Sequence, residues 1–412
     1  MNRSAEFQSI YDYILNIPAW NRSKTDLVLI REFLKRMDIP YQKLKVIHVA
    51  GTNGKGSFCA YLTRILMDRG YHVGTFTSPH LVDIRERIAV DSQKISEELF
   101  AEAYYFVKKK TDEWVADGKN HPVYFEFLFY MAIYIYTKLS PDYVILETGI
   151  GGLLDTTTAF DTPILCAITS ISYDHMALLG DTIELIAGQK AGIICEGVPV
   201  VYLDGCGVSS EVIEKKAAEL HAPLYRCSDM QYLYERLSFL AAPYMKQNAM
   251  IAARAAHVLG IADDEAILVS LKNAYWPCRM DQVAEDVWID GAHNEDGLRA
   301  FADGAYEICM KKGKKPVLLM SSVSDKDLSN MFGYPLDRLK PSRVYVPTIN
   351  SHRKTEAADL KEIMRKTGSD VDIRIFENSH DALRCALSEK GSDEILFCVG
   401  SLYLAGEIYA QF

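Results

Sequence analysis

The stretch that constrains this chain most is KVIHVAGTNGKGS, residues 45–57. Val46, Ile47 and Val49 make an apolar, β-branched run that reads as a buried strand. The run leads into Gly51, Gly54 and Gly56, with Thr52, Asn53 and Lys55 among them and Ser57 behind. FCAYLTRILMDRG follows, apolar at helical spacing and ending at Gly70. Strand, glycine loop and helix together gather backbone N–H groups, a helix N-terminus and a lysine around an anion. The expected ligand is a nucleotide phosphate, with the Ser57 hydroxyl placed for a magnesium ion. The loop is a variant of the general phosphate loop: Val49 stands where that pattern wants its first glycine, and Gly56 separates Lys55 from Ser57. The competing reading is an ordinary glycine-rich turn. The strand before and the helix after argue against it.

A chain of 412 residues points to two domains. Its 49% hydrophobic and 24% charged residues are those of an ordinary globular protein. A net charge of −10 argues against a general nucleic-acid or membrane-surface role. The nine cysteines include no C-x-x-C, and most lie in apolar runs. That fits free thiols in a reducing cytoplasm. No signal-peptide core opens the chain, and no apolar run reaches the roughly 18 residues of a membrane span.

Before Lys45, EFQSIYDYILNI and TDLVLIREFLKRM are helical patterns. The intervening WNRSKTD reads as a connection, with a substrate-facing loop as the alternative. Residues 72–77 read as a strand, broken by Ser78, Pro79 and His80. Arg85 and Arg87 beyond it either meet an anionic substrate or are solvated surface. VYFEFLFYMAIYIYTKL, residues 123–139, reads as a buried helix, in which Glu126 is expensive unless paired or functional. Glu147 ends the strand in DYVILE, at the sheet edge where α/β proteins gather ligands. There it suits a magnesium ligand, with a capping or salt-bridged acid as the alternative. Asp174 and His175 fall just past the next strand, PILCAITSI. Lys190 lies in an apolar helical run and needs a partner or a role. An alanine-rich helix starts near Gln247 and Asn248. WPCRMDQV reads as a linker, and VWID, PVLLMSS, RVYVP, DIRIF and EILFCVG as the five strands of a second α/β set.

HVAGTNGKGS, SPHL from Ser78, ETGIGG, the ITSI–DH–LGDT–IA–KAGI run, Gln247-Asn248, DGAHN, SDKD from Ser324 and GSLYLAGEI occur in this order. The ordered set resembles the folylpolyglutamate synthases and dihydrofolate synthases, within the Mur-type ATP-dependent amide ligases, over nearly the whole chain. The resemblance implies an α/β, two-domain Mur-ligase-like fold. Residues 1–275 would form a P-loop-type, mostly parallel-sheet ATP- and folate-binding domain. Residues 276–284 would be a linker, and 285–412 a smaller doubly wound domain closing the cleft. It implies that Gly51, Thr52, Asn53, Gly54, Lys55, Gly56 and Ser57 hold the ATP triphosphate, with Lys55 on the transferred phosphate and Ser57 on magnesium. Glu147 and His175 would ligate a second magnesium, and Lys190 would be the carbamylated lysine beside it. Asn248, Arg279, Asp290 and His293 would contact nucleotide. Ser78, Pro79, His80, Leu81, Phe125, Glu126 and Asp155 would face the pterin or folate, and Ser401 would line the cleft.

The implied activity is ATP-dependent joining of L-glutamate to the carboxylate of a folate or of dihydropteroate through an acyl phosphate. The enzyme would be a cytoplasmic monomer needing ATP and Mg2+, without nucleic-acid or membrane partners. Several positions depart from the family pattern. Leu153 stands for an arginine, Thr158 for an asparagine, Gln189 for a glutamate, Cys195 for a lysine, Cys278 for a glycine, Asp281 for a glutamate and Glu295 for a proline. They leave open a paralogous ligase for a non-folate carboxylate, or a catalytically weak ATP-binding paralogue.

Overall fold

The computed structural model describes residues 4–19, 26–205, 207–323, 328–351, 353–368 and 370–412. Most of the WNRSKTD connection and the SDKD motif lie outside the described residues. The chain divides into two compact units. The first comprises residues 1–233 and 248–274, the second 234–247 and 275–412. The boundary therefore differs from the expected one: residues 234–247 pack with the C-terminal part. The alanine-rich helix Pro243–Val258 starts earlier than its pattern indicates and crosses the boundary at Asn248. Two mostly parallel sheets covered by helices make the chain α/β, as expected.

The first unit is built on strands β1 (Val46–Ala50), β2 (Val73–Phe76), β3 (Ile88–Val90), β4 (Gln93–Lys94), β5 (Tyr143–Glu147), β6 (Leu165–Ile168), β7 (Val200–Tyr202) and β8 (Leu224–Arg226). They lie in the order β4-β3-β2-β5-β1-β6-β7-β8. All pairs are parallel except β2–β3 and β3–β4. The hairpin of β3 and β4 and the edge strand β8, at three residues or fewer each, are too short to be visible in the sequence. The central strand β1 is buried along its whole length, because it pairs with β5 on one side and β6 on the other. The helix Tyr124–Leu139 lies in the core, with Phe127, Phe129, Tyr130 and Tyr136 fully buried. Tyr130 stacks on Phe33 at 4.1 Å. Burying each such ring is worth roughly 1.5–3 kcal/mol. From Phe127 onward this aromatic run builds mainly packed core.

The second unit carries β9 (Asp281–Ala284), β10 (Val287–Ile289), β11 (Lys315–Met320), β12 (Arg343–Pro347), β13 (Asp372–Phe376) and β14 (Glu394–Val399), in the order β13-β12-β11-β14-β10-β9. Five of these are the expected strands. The sixth, β9, occupies part of the expected linker and pairs antiparallel with β10. Its alternating burial, one face only, hid it among polar residues. Among the described residues no helix is long and apolar enough to cross a membrane.

Candidate active site

Four neighbouring strands of the first sheet, β2, β5, β1 and β6, deliver the candidate residues at their carboxyl ends. The glycine loop follows β1. Gly54 caps the next helix, Lys55–Asp68, with φ +89°, so Lys55, Gly56 and Ser57 form its first turn. The first intrahelical bond runs from Phe58 N to Gly54 O, which leaves the N–H groups of residues 55–57 without intrahelical acceptors. A side chain at Gly54 would collide with Asn248, whose Oδ1 would lie 2.1 Å from an added Cβ. Asn248 thus packs against the loop from the alanine-rich helix, and glycine is required by both space and conformation.

The far wall of the loop comes from the end of β6. Thr52 N donates to Ser170 O at 2.7 Å, and the hydroxyls of Thr169 and Ser170 donate to Asn53 O at 2.7 and 3.2 Å. Thr169 and Ser170 were not singled out from sequence. Hydroxyl residues directly past a buried strand, beside the glycine loop's strand, are the signal that points to them.

Two lysines meet at the loop. Lys55 Nζ donates to Gly51 O at 3.1 Å and Thr52 O at 3.3 Å, and stands 3.9 Å from Glu147 Oε1. Lys190 Nζ donates to the same Gly51 O at 2.8 Å and is buried. Burial, reinforced by Lys55, pulls its ammonium down to about 7, against a weaker pull from Asp174 and Asp155. Ser57 Oγ is buried without a hydrogen-bond partner among the described residues. Glu147, also buried, accepts the Ser78 N–H at 3.0 Å, which ties the SPHL loop to the site. His175 lies past β6 with φ +51° and is exposed, beside Asp174. Among the described residues, no three His, Cys, Asp or Glu side chains gather closely enough to hold an ion by themselves.

The expected folate-facing residues divide. Phe125 turns its ring toward Gly149, 3.0 Å from where a Cβ would lie, and tilts against Phe76. His80 Nδ1 accepts from Arg87 Nε at 2.9 Å, and Glu86 holds the N–H groups of Leu81, Val82 and Asp83. Arg87 is buried over the Tyr124 ring, and Arg85 pairs with Asp83 and Glu97. Neither arginine is solvated surface. Glu126 accepts from Val123 N at 3.0 Å at the start of its own helix, and burial raises its carboxyl. That bond supplies the partner a carboxylate among aromatics needs.

Asp155 is buried and saturated. It accepts from Gly149 N (2.8 Å), Ile150 N (3.0 Å), Thr157 N (3.0 Å) and Thr157 Oγ1 (2.6 Å). The Thr157 proton goes to Asp155, so the buried His48 on β1 donates from Nε2 to Thr157 Oγ1 at 2.8 Å. Burial lowers His48 to about 3, which keeps it neutral. His48 was missed from sequence; a histidine inside an otherwise apolar strand is its only signal. Leu153 is exposed, and its N–H donates to Gln189 O at 2.7 Å.

In the second unit, the DGAHN segment leaves β10 beside the GSLY segment leaving β14; Gly400 N donates to Ala292 O at 3.0 Å. Asp290 is buried and accepts from Met280 N and Ala292 N, each at 2.8 Å, and from the Tyr244 hydroxyl. Burial raises its carboxyl, against the pull of Arg279. Arg279 Nη1 lies against Gly291, and His293 Nδ1 pairs with Gly291 O at 2.8 Å. Ser401 caps the helix Leu402–Tyr409, accepting from Tyr403 N at 3.2 Å.

No protein-family model matches the chain. It is 33% identical to a dihydrofolate synthase/folylpolyglutamate synthase of Bacillus subtilis over 422 residues, covering 93% of this chain and 94% of that protein. A putative folylpolyglutamate synthase of Caenorhabditis elegans is 29% identical, with 96% of this chain and 88% of that protein covered. The solved structure of E. coli FolC in complex with DHPP and ADP superposes with a TM-score of 0.85 at 25% identity, covering 99% of this chain and 98% of that one. The bifunctional folylpolyglutamate synthase/dihydrofolate synthase of Yersinia pestis, complexed with AMPPNP and Mn ion, superposes at 0.84 with 26% identity and the same coverage. The chain belongs to the dihydrofolate synthase/folylpolyglutamate synthase family.

Proposed function

We propose that this chain is an ATP-dependent ligase that joins L-glutamate to the carboxylate of a folate or of dihydropteroate. The observation that carries the reading is the glycine loop of residues 51–57, with Lys55 and Lys190 on one loop carbonyl and Glu147 beside Lys55. The substrate carboxylate attacks the γ-phosphorus of ATP, the bond to ADP breaks, and an acyl phosphate forms. The glutamate amine then attacks the acyl carbon, loses a proton, and expels inorganic phosphate, leaving an amide. The chain needs no covalent nucleophile. The loop N–H groups and Lys55 stabilise charge developing on the phosphoryl oxygens.

The residues fit a hard divalent cation, which we take to be magnesium: the buried Ser57 hydroxyl has no hydrogen-bond partner among the described residues, and Glu147 adds a buried carboxylate. Ser57 would hold one such ion, and Glu147 and His175, with Lys190 once carbamylated, would hold a second; both would supply positive charge to the phosphate oxygens. A neutral Lys190 amine is the form that adds carbon dioxide. Asn248 would contact nucleotide beside the loop. In the second unit Arg279 and His293 would bind nucleotide, with Asp290 as a positioning residue that fixes the DGAHN segment. Ser78 to Leu81 and Phe125 would meet the pterin side. The saturated hydrogen bonding of Asp155, and the caps made by Glu126 and Ser401, support positioning roles for these three. We further propose a cytoplasmic monomer.

The test is phosphate release from purified protein with ATP, magnesium and glutamate, with and without dihydropteroate or a reduced folate. Release that requires glutamate and one of the pterin substrates is expected. Release indifferent to both pterins, or tight ATP binding without turnover, overturns the reading.

A further inference from the structure

Cys166 and Cys195 are free thiols directed at one acceptor, the carbonyl oxygen of Ile193, at 3.1 and 3.6 Å. Cys166 sits on β6, on the face packed by Ala191, Ile193, Ile194 and Val200. Cys195 lies just after the helix Ile183–Ala191, which carries Lys190, and is only partly buried. We propose that Cys166 and Cys195 are a thiol–disulfide modification site, which closes reversibly to an intramolecular disulfide by exchange with a low-molecular-weight disulfide.

The two cysteines are not equivalent. Their mutual interaction, with burial, pushes Cys166 well up, while the same interaction pulls Cys195 below its ordinary value. Arg31 favours the Cys195 thiolate and Asp161 opposes it. Cys195 is therefore the attacking group and Cys166 the resolving one. In the first step the Cys195 thiolate attacks one sulfur of the disulfide, forming a mixed disulfide and releasing one thiolate. Cys166 then loses its proton and attacks Cys195 Sγ, forming the intramolecular bond and releasing the second thiol. Two protein thiols are oxidised and one small disulfide is reduced to two thiols. The bond fastens the turn after the Lys190 helix to β6, one strand away from the glycine loop.

The experiment treats the reduced full chain with oxidised glutathione, blocks remaining thiols with N-ethylmaleimide, and maps peptides by mass spectrometry. The expected product is a Cys166–Cys195 linked peptide pair, with the intact chain lighter by two hydrogens and restored by dithiothreitol. Cys195→Ser should abolish the linked pair while the chain stays folded by circular dichroism. Cys166→Ser should arrest at a Cys195–glutathione mixed disulfide. Both cysteines recovered as maleimide adducts, a persistent mixed disulfide in the unsubstituted chain, or a link to any other cysteine overturns the proposal.

Discussion

Lys55 and Lys190, far apart in sequence, donate to a single oxygen, the carbonyl of Gly51, at 3.1 and 2.8 Å. Two ammonium groups on one acceptor repel, and the cost falls on the one that water cannot reach. Lys190 is that group, with its pKa brought down to about 7. The glycine loop is thus gripped by one partly exposed lysine next to Glu147 and one buried lysine that gives up its proton readily.

A pH dependence of stability follows. Below pH 7 Lys190 is protonated in both folded and unfolded chains, and the folded state bears the whole penalty. Between about 7 and 10.5 the unfolded chain holds a proton the folded chain lacks, so stability rises with pH, by at most about 1.4 kcal/mol per unit. Above that range the penalty is gone. Lys55 deepens the shift, while Asp174 and Asp155 oppose it. Urea denaturation of Lys190→Met and the parent, from pH 7 to 9.5 in bicarbonate-free buffer, should show the parent gaining on the variant as pH rises. Parallel curves would mean that Lys190 does not titrate there.

The same neutral amine predicts a chemical phenotype. Lys190→Ala should lower turnover by about 10²-fold, within the range for removing one group from a preorganised polar site. Formate or acetate should restore part of it by standing in for a carbamate. Full activity in Lys190→Ala without added acid would show the lysine to be structural only.

Lys55→Ala removes the lysine nearest the phosphate position. Turnover should fall by about 10³-fold, with the far-ultraviolet circular dichroism unchanged, since Lys55 packs no core. Activity within tenfold of the parent would remove Lys55 from the mechanism.

Gly54→Ala tests the loop's shape separately from its charge. Position 54 has φ +89°, and an added Cβ would lie 2.1 Å from Asn248 Oδ1. The left-handed conformation alone costs about 1–2 kcal/mol for a non-glycine residue. The variant should lose at least that in urea denaturation, and calorimetry should read weaker binding of ADP. Unchanged affinity would separate Asn248 and the loop conformation from nucleotide binding.

Much of this was legible in the sequence because it is written in period and punctuation. The buried strand of residues 46–50 is apolar but for His48, and Gly54 marks the helix that follows it. What stayed hidden depends on tertiary pairing. Strand β9 buries one face only, and β3, β4 and β8 run three residues or fewer. Glu126 looked like a stranded charge until its bond to Val123 N closed the helix start. That Arg85 and Arg87 are not solvated surface could not be read from composition, because Asp83, Glu97 and His80 reach them only in the fold. His48 and Thr157 are far apart in the chain, and no spacing rule connects them.

That last pair carries the final prediction. Asp155 accepts two bonds from Thr157 and two from the N–H groups of Gly149 and Ile150, and His48 donates to Thr157. Asp155→Asn turns one acceptor oxygen into a donor facing N–H or O–H groups, at a cost of about 2–3 kcal/mol. Thr157→Val deletes the hydroxyl link and leaves the His48 Nε2–H buried without an acceptor, at about 1–3 kcal/mol. Because the two changes break one shared bond, the double variant should lose less than the sum, by about 1 kcal/mol. Urea denaturation of the four proteins measures this directly. Strict additivity would mean that Asp155 holds the residue 149–150 turn independently of Thr157.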